Sequence, residues 1–217
     1  MQSNLETSIL LVDDHKIVRN GLRSLIEKKQ TLKVIGEASN GRDAIKFCEK
    51  FKPHVVIMDI AMSGLNGVQA TKQIIDIDSN IKVIALSMHS DKQFVIGMFK
   101  AGAYGYLLKD SSSEELIDAI LSVARNQKYV SQKISDVLIE NISSNAIEND
   151  SDVLTTREIE VLQLIAEGNS SKDIGELLFL SSKTVDVHRT NIMHKLNIFN
   201  IPDLTKYAIK EGIISLE

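Results

Sequence analysis

The stretch LLVDDHKIV, residues 10–18, breaks an apolar run with two adjacent carboxylates, Asp13 and Asp14, and a histidine, His15. A buried strand that stops on two acids sets negative charge at its carboxyl end. Working outward, similar apolar runs lie at ILLV (9–12), VIGEA (34–38), VVIM (55–58), VIAL (83–86) and YGYLL (104–108), with helix-like segments between them. Continuous Val/Ile/Leu runs are strands buried on both faces, and their alternation with amphipathic helices predicts a five-stranded, parallel, doubly wound α/β sheet. The stripes of three intervening helices read Ile17, Leu22, Leu25, Ile26, then Ala44, Ile45, Cys48, Phe51, and finally Leu116, Ile117, Ile120, Leu121, Ala124.

Composition narrows the function. The 217 residues are 43% hydrophobic, enough for one large or two small cores, and a net charge of -4 gives no global attraction to nucleic acid. Any such binding has to be local. Cys48 is the single cysteine, which excludes an internal disulfide and suits a reducing compartment. The opening MQSNLETS lacks a basic region followed by an apolar stretch, and no apolar run approaches the roughly 18 residues of a bilayer span, so a cytoplasmic protein with no membrane partner is expected.

Three regions follow from the pattern: an α/β domain over 1–128, a helical extension and polar linker over 129–153, and an all-helical unit over 154–217. QKISDVLIENI reads as one more helix, and SSNAIENDSD has little to bury, which places the linker at about 142–153.

Chemistry-bearing residues sit at the carboxyl ends of the strands: Asp13 and Asp14 after the first, Asp59 after the third, Ser87 after the fourth, Lys109 after the fifth. In an open parallel sheet those ends share one edge, where ligands bind. A lone aspartate at such a position is an ordinary turn or cap residue; five suitable residues on four strands are not so explained. Three carboxylates brought together need a cation, and an oxygen-only set favours Mg²⁺. An added lysine and hydroxyl suit a phosphoryl group, and one aspartate would then be a nucleophile.

VDDH, MDIAMSGLNG, ALS and GYLLKD, in this order and spacing from Ile9 to Arg125, resemble a bacterial response-regulator receiver domain, which is flavodoxin-like. The resemblance implies Asp59 as phospho-acceptor, Asp13, Asp14 and the Ala61 backbone carbonyl as further Mg²⁺ ligands, Ser87 and Lys109 against the phosphoryl group, and Tyr106 as an aromatic switch. It implies a sensor histidine kinase or small phosphodonor as partner. The sequence departs from the family at Ser63, where proline usually follows the methionine, leaving the loop from Ala61 to Gly67 without that constraint on φ. His15, an imidazole, is a poor ligand for Mg²⁺ and reads as the opening of a helix.

In the carboxyl-terminal unit, LTTREIEVLQLIAEG starts with a cap at Thr155 or Thr156 and stripes Ile159, Leu162, Ile165 and Ala166 before Gly168 ends it. Two further helices flank Phe179–Leu180–Ser181, the short-turn spacing of a helix-turn-helix. In the last of them Val185, Ile192 and Leu196 form an apolar ridge, with Lys183, Val187, Thr190 and His194 opposite and His188 at the ridge's edge. Val187 would meet a thymine methyl, and Lys183, Arg189 and Lys195 would neutralise phosphates. The basic patch is narrow, three cations against Asp186 between 181 and 195, so one subunit binds modestly and pairing is expected.

This segment resembles the LuxR-type helix-turn-helix, and the whole chain is identified as a NarL/FixJ-type response regulator. The resemblance implies promoter DNA bound by a homodimer, with Lys183, Thr184, Asp186, Val187, Arg189, Thr190, Asn191 and Lys195 on the DNA side. It implies Leu204, Tyr207 and Ala208 at the dimer contact, though that stripe reads equally as core. The chain is then a transcription factor controlled by phosphorylation of Asp59, not an enzyme beyond its own Mg²⁺-dependent phosphorylation and dephosphorylation. Phosphorylation-independent and small-ligand-controlled LuxR-type regulators are the alternatives. An aspartyl-phosphate phosphatase lacks support, because its second catalytic aspartate would stand where Ala61 does.

Overall fold

All five expected strands form, each beginning and ending within two residues of its apolar run. The computed structural model describes residues 6–88, 90, 92–136 and 154–214, and the chain divides into two compact units. In the first, β1 (Thr7–Val12), β2 (Leu32–Ala38), β3 (Val55–Asp59), β4 (Lys82–Ser87) and β5 (Gly105–Leu108) alternate with α1 (Lys16–Ile26), α2 (Gly41–Phe51), α3 (Gly67–Ile77), α4 (Lys92–Lys100) and α5 (Ser113–Ala124). A sixth strand, β6 (Tyr129–Val130), follows, and the order across the sheet is β2-β1-β3-β4-β5-β6 with every pair parallel. Among the described residues the strand count is thus six, not five. β6 is two residues long, too short to carry an apolar run, and its pairing is tertiary: Gly105 faces Tyr129 and Tyr106 faces Val130.

Consecutive strands run outward in both directions from β1 and β3, which makes the carboxyl edge between them the switch point where a ligand crevice forms. The helices start where short polar side chains accept an otherwise unpaired amide: Asn40 from Asp43, Asn66 from Gln69 and Ser112 from Glu115. Ala44 and Cys48 bury their side chains, and burial pushes the Cys48 thiol up to about 12, so it stays protonated and packs as a small hydrophobe.

Three stripe residues are corrected. Ile17 is 82% exposed and Phe51 is exposed as well, because each lies at the polar margin of its helix, where periodicity alone does not reveal the edge. In α5, Val123 takes the buried position assigned to Ala124. Of the helix expected across 132–142, residues 132–136 are helical; its remainder and the linker at 142–153 lie outside the described residues.

Among its described residues the second unit holds four helices: α6 (Thr156–Ala166), α7 (Ser171–Leu178), α8 (Ser182–Leu196) and α9 (Ile201–Lys210). Thr155 caps α6 in a reciprocal capping box with Glu158, and Ser170 pairs with Asp173 in the same way at α7. Leu162, Ile165, Ile174, Leu178, Val185, Ile192, Leu204 and Ala208 share one core. The α7–α8 turn is tight. Leu180 N–H donates to the Gly175 carbonyl at 2.8 Å, and a Cβ on Gly175 would stand 2.8 Å from Leu180 O, so only glycine fits.

Candidate functional sites

Register brings the acids together. Val12 pairs with Met58, so the next residues along β1 and β3, Asp13 and Asp59, emerge side by side at the switch point. Asp59 in turn pairs with Leu86, Ser87 pairs with Leu108, and Lys109 N–H donates to the Ser87 carbonyl at 2.8 Å, which folds the lysine toward the same edge. Its Nζ reaches Asp13 Oδ2 at 2.7 Å and Asp59 Oδ2 at 2.9 Å. Asp13, Asp59 and Ser87 are buried, and Asp14 faces solvent.

Burial, joined by the charges of Asp13 and Asp14, lifts Asp59 to about 6, although Lys109 pulls the other way. For Lys109, burial works against the charged form, but Asp13 and Asp59 outweigh it and hold the ammonium above its ordinary value.

Ligating atoms of Asp13, Asp14, His15 and Asp59 all lie within 4.8 Å of one another. The group fits a divalent cation by the chemistry of its donors: three of its four members are hard carboxylates, and two of these, Asp13 and Asp59, are buried where their charges need compensation. His15 Nδ1 stands 2.8 Å from Asp14 Oδ1 and 3.3 Å from Asp13 Oδ1, and its backbone N–H donates to Asp13 Oδ1 at 2.8 Å. It is placed to orient the acids, and α1 begins one residue later.

The loop after Asp59 is braced without proline. Ile60 O accepts from Met62 N–H at 3.2 Å and from Gly67 N–H at 3.0 Å, which turns the chain back around half-buried Ala61 and leaves Ser63 exposed. Tyr106 is fully buried, within β5 and two residues before the end of the strand.

Sequence reasoning passed over Arg19 and Glu37. Arg19 Nη1 donates to the Asp13 carbonyl at 2.6 Å while its Nε pairs with Glu37 at 3.1 Å, and Arg23 Nε takes the other Glu37 oxygen at 2.8 Å. The available signal was two arginines one helical turn apart and a lone acid in the strand that follows them.

In the second unit, Ser181 caps α8 by accepting from Thr184 N–H. Lys183, Thr184, Val187, Thr190 and Asn191 are exposed along the helix, Val187 by 53%. The Thr184 hydroxyl lies 2.8 Å from Ser181 Oγ, and the Thr190 hydroxyl donates to Asp186 O, so both are partly engaged within the helix. Asp186 accepts from Ser171 Oγ at 2.7 Å and pairs with Arg189 at 3.3 Å. Lys195 also has a partner within the unit: its Nζ sits 2.6 Å from buried Glu158, a pair between α8 and α6, and the lysine side chain remains 39% exposed. Of the two readings of the stripe on α9, its packing within the unit follows the core one: Leu204 and Ala208 are fully buried in the helical core, and Tyr207 is half-buried against it, because a unit this small uses its apolar residues on itself.

A parallel sheet with three acids and a lysine at its switch point, followed by a helix-turn-helix, defines a signal-receiving domain joined to a DNA-binding one. Residues 9–121 match the family described as response regulator receiver domain, and residues 152–208 match bacterial regulatory proteins of the luxR family. Among relatives, the transcriptional regulatory protein LiaR of Bacillus subtilis is 38% identical over 210 residues, covering 95% of this chain and 99% of that one. Response regulator UvrY of Escherichia coli is 36% identical, covering 97% of each chain. A solved structure of the response regulator RcsB in complex with DNA superposes with a TM-score of 0.60 at 25% identity, covering 95% of this chain and 98% of that one. The chain belongs to the response-regulator family: it is a transcriptional regulator with a receiver domain and a LuxR-type DNA-binding domain. Among the described residues no helix is long and apolar enough to cross a membrane.

Proposed function

We propose that Asp59 accepts a phosphoryl group and that its phosphorylation controls DNA binding by α8. The single observation that carries this is the bridging of Asp13 and Asp59 by Lys109 at the switch point, which pairs a buried nucleophile with a cation able to follow the charge onto a phosphoryl oxygen. A carboxylate oxygen of Asp59 attacks phosphorus in a sensor histidine kinase's phosphohistidine or in a small phosphodonor; the bond from phosphorus to the leaving group breaks as the new P–O bond forms. Asp13, Asp14, Asp59 and the Ala61 carbonyl would hold Mg²⁺, which would supply charge neutralisation for the phosphoryl oxygens. Lys109 pairs with one of those oxygens and Ser87 donates to another. The added charge draws Ser87 and buried Tyr106 into a new arrangement, which biases the chain toward a homodimer on promoter DNA. Reaction and regulation take place in the cytoplasm, and the regions 1–128, 129–153 and 154–217 divide the work as receiver, connector and DNA reader.

The test is incubation with Mg²⁺ and a small acyl phosphate. Mass spectrometry is expected to find one phosphoryl group, removed by hydroxylamine, on the parent and none on Asp59→Asn. Full labelling of Asp59→Asn shows that the nucleophile lies elsewhere.

A further inference from the structure

Besides the ion contact of its Oδ2 with Lys109, Asp13 is held through its backbone and its other oxygen, and one of these holds has no place in the phospho-acceptor chemistry. Its N–H donates to Ala38 O on β2 at 3.2 Å, its Oδ1 accepts from His15 N–H, and its carbonyl accepts from Arg19 Nη1 at 2.6 Å, the contact without such a place. The amides of Val18 and Arg19 in the first turn of α1 reach back only as far as His15 O, so they do not hold the Asp13–Asp14 peptide. Arg19 does so from the side. Its guanidinium, with the side chain only 12% exposed, is fixed by Glu37 on β2, whose second oxygen is taken by Arg23. Arg23 is further anchored on Val34 O.

We propose that Arg19, locked by Glu37, is a positioning residue that sets the Asp13–Asp14 peptide in the geometry a divalent cation needs. This rests on the reading of Asp13 and Asp14 as Mg²⁺ ligands. Mg²⁺ tolerates little departure from octahedral geometry, and two adjacent carboxylates can both turn toward one ion only if the peptide between them has a fixed orientation. The charge arrangement points the same way. A bare guanidinium beside the site would repel a dication, whereas Arg19 and Arg23 share Glu37 and Arg23 also pairs with Glu27 at 3.0 Å, so the two cations are matched by two carboxylates and Arg19 brings a donor to the carbonyl with little net charge from the cluster. Outer hydrogen bonds of this kind typically change metal affinity by about 10- to 100-fold.

The test is a Mg²⁺ titration of the full chain followed by amide NMR, in which the amides of residues 13, 14 and 59 report binding and the remaining resonances report folding. Arg19→Met is expected to bind Mg²⁺ about 10- to 100-fold more weakly while distant resonances keep their positions. Arg19→Lys, which keeps one donor for the carbonyl, is expected to recover part of the loss, and Arg23→Ala, which leaves Arg19 on Asp13, to remain near the parent. If Arg19→Met does not fold, Glu37→Gln loosens the same clamp and is expected to weaken binding severalfold. Parent-like Mg²⁺ affinity in the folded Arg19→Met, or in Glu37→Gln where that variant must stand in, overturns the inference. A parent chain whose site amides do not respond to Mg²⁺ overturns the metal reading, and this inference with it.

Discussion

Lys109 Nζ lies 2.9 Å from Asp59 Oδ2, although fifty positions of sequence separate the two residues. The contact exists because β3 and β5 both flank β4 and end on the same edge, so the lysine after one strand reaches the acid that closes the other. The same ammonium also touches Asp13, and without a metal it is the charge that keeps two buried carboxylates together. Its compensation is incomplete. Asp59 remains lifted to about 6, which makes the site electrostatically costly when ionised.

Asp59→Asn is therefore expected to stabilise the metal-free receiver at neutral pH by on the order of 1–3 kcal/mol. Asp59's folded-state value stands above its ordinary 3.8, so the favourable contribution belongs to the protonated carboxyl. It is fully present below about 4 and lost as pH rises through about 6. Urea unfolding across this range should show the gap between variant and parent widening with pH, and saturating Mg²⁺ should narrow it.

Gly67→Ala is expected to destabilise the receiver by about 2–4 kcal/mol and to slow phosphorylation, since the added Cβ would stand 2.1 Å from Asp59 O and 2.9 Å from Ile60 Cα, both backbone atoms. Gly21→Ala in α1 meets nothing within 4 Å and should be neutral or stabilising by about 0.5–1 kcal/mol. Paired denaturation curves separate the two cases; equal effects mean that the loop yields.

Much of this site was legible in the sequence because strand ends are marked by chemistry: an apolar run that stops on Asp13, Asp59, Ser87 or the residue before Lys109 declares its own boundary. Parallel topology then puts those ends together without knowledge of any contact. β6 was not legible, because two residues carry no periodicity and their pairing with Gly105 and Tyr106 is a tertiary event. The partners of Arg19 and Lys195 were not legible for a related reason: a cation's partner is chosen in three dimensions, and Glu37 and Glu158 are 18 and 37 residues away. The stripe at Leu204 and Ala208 shows the limit of amphipathicity, which identifies an apolar face but not what covers it.

Along α8, Lys183→Ala is expected to weaken binding to all sequences and to lower the salt slope by about one, whereas Val187→Ala should cost about 1 kcal/mol mainly at one base pair. Asp186→Ala releases Arg189 and Ser171 and should strengthen sequence-independent binding. Binding isotherms across a salt series, on a selected site and its single-base variants, resolve these three effects. Unchanged affinity in all of them would mean that α8 does not enter the groove.

Residues 151–217 are expected to fold alone, because the helical unit has its own core. In that fragment Glu158→Gln should cost about 0.5–1.5 kcal/mol by removing the charge that pairs with part-exposed Lys195. Burial works against ionised Glu158, but Lys195 and the Thr155 cap outweigh it and hold the carboxyl below its ordinary 4.5. That contribution is present above about 4.5 and lost as pH falls through Glu158's lowered value, so acid should close the gap between variant and parent. Circular dichroism melts at several pH values check both the sign and the window.

β6 also alters what the receiver offers to other chains. Without it, β5 would be an outer strand, with a row of unpaired amides and carbonyls running past Tyr106 and open to any extended peptide. With Tyr129 N–H on Tyr104 O and Ser131 N–H on Tyr106 O, that row is covered, and the new margin is a strand of only two residues. A rim so short gives a foreign strand almost nothing to zip onto. On this flank the domain is guarded against runaway β-stacking, and recognition there has to proceed through side chains and helix faces.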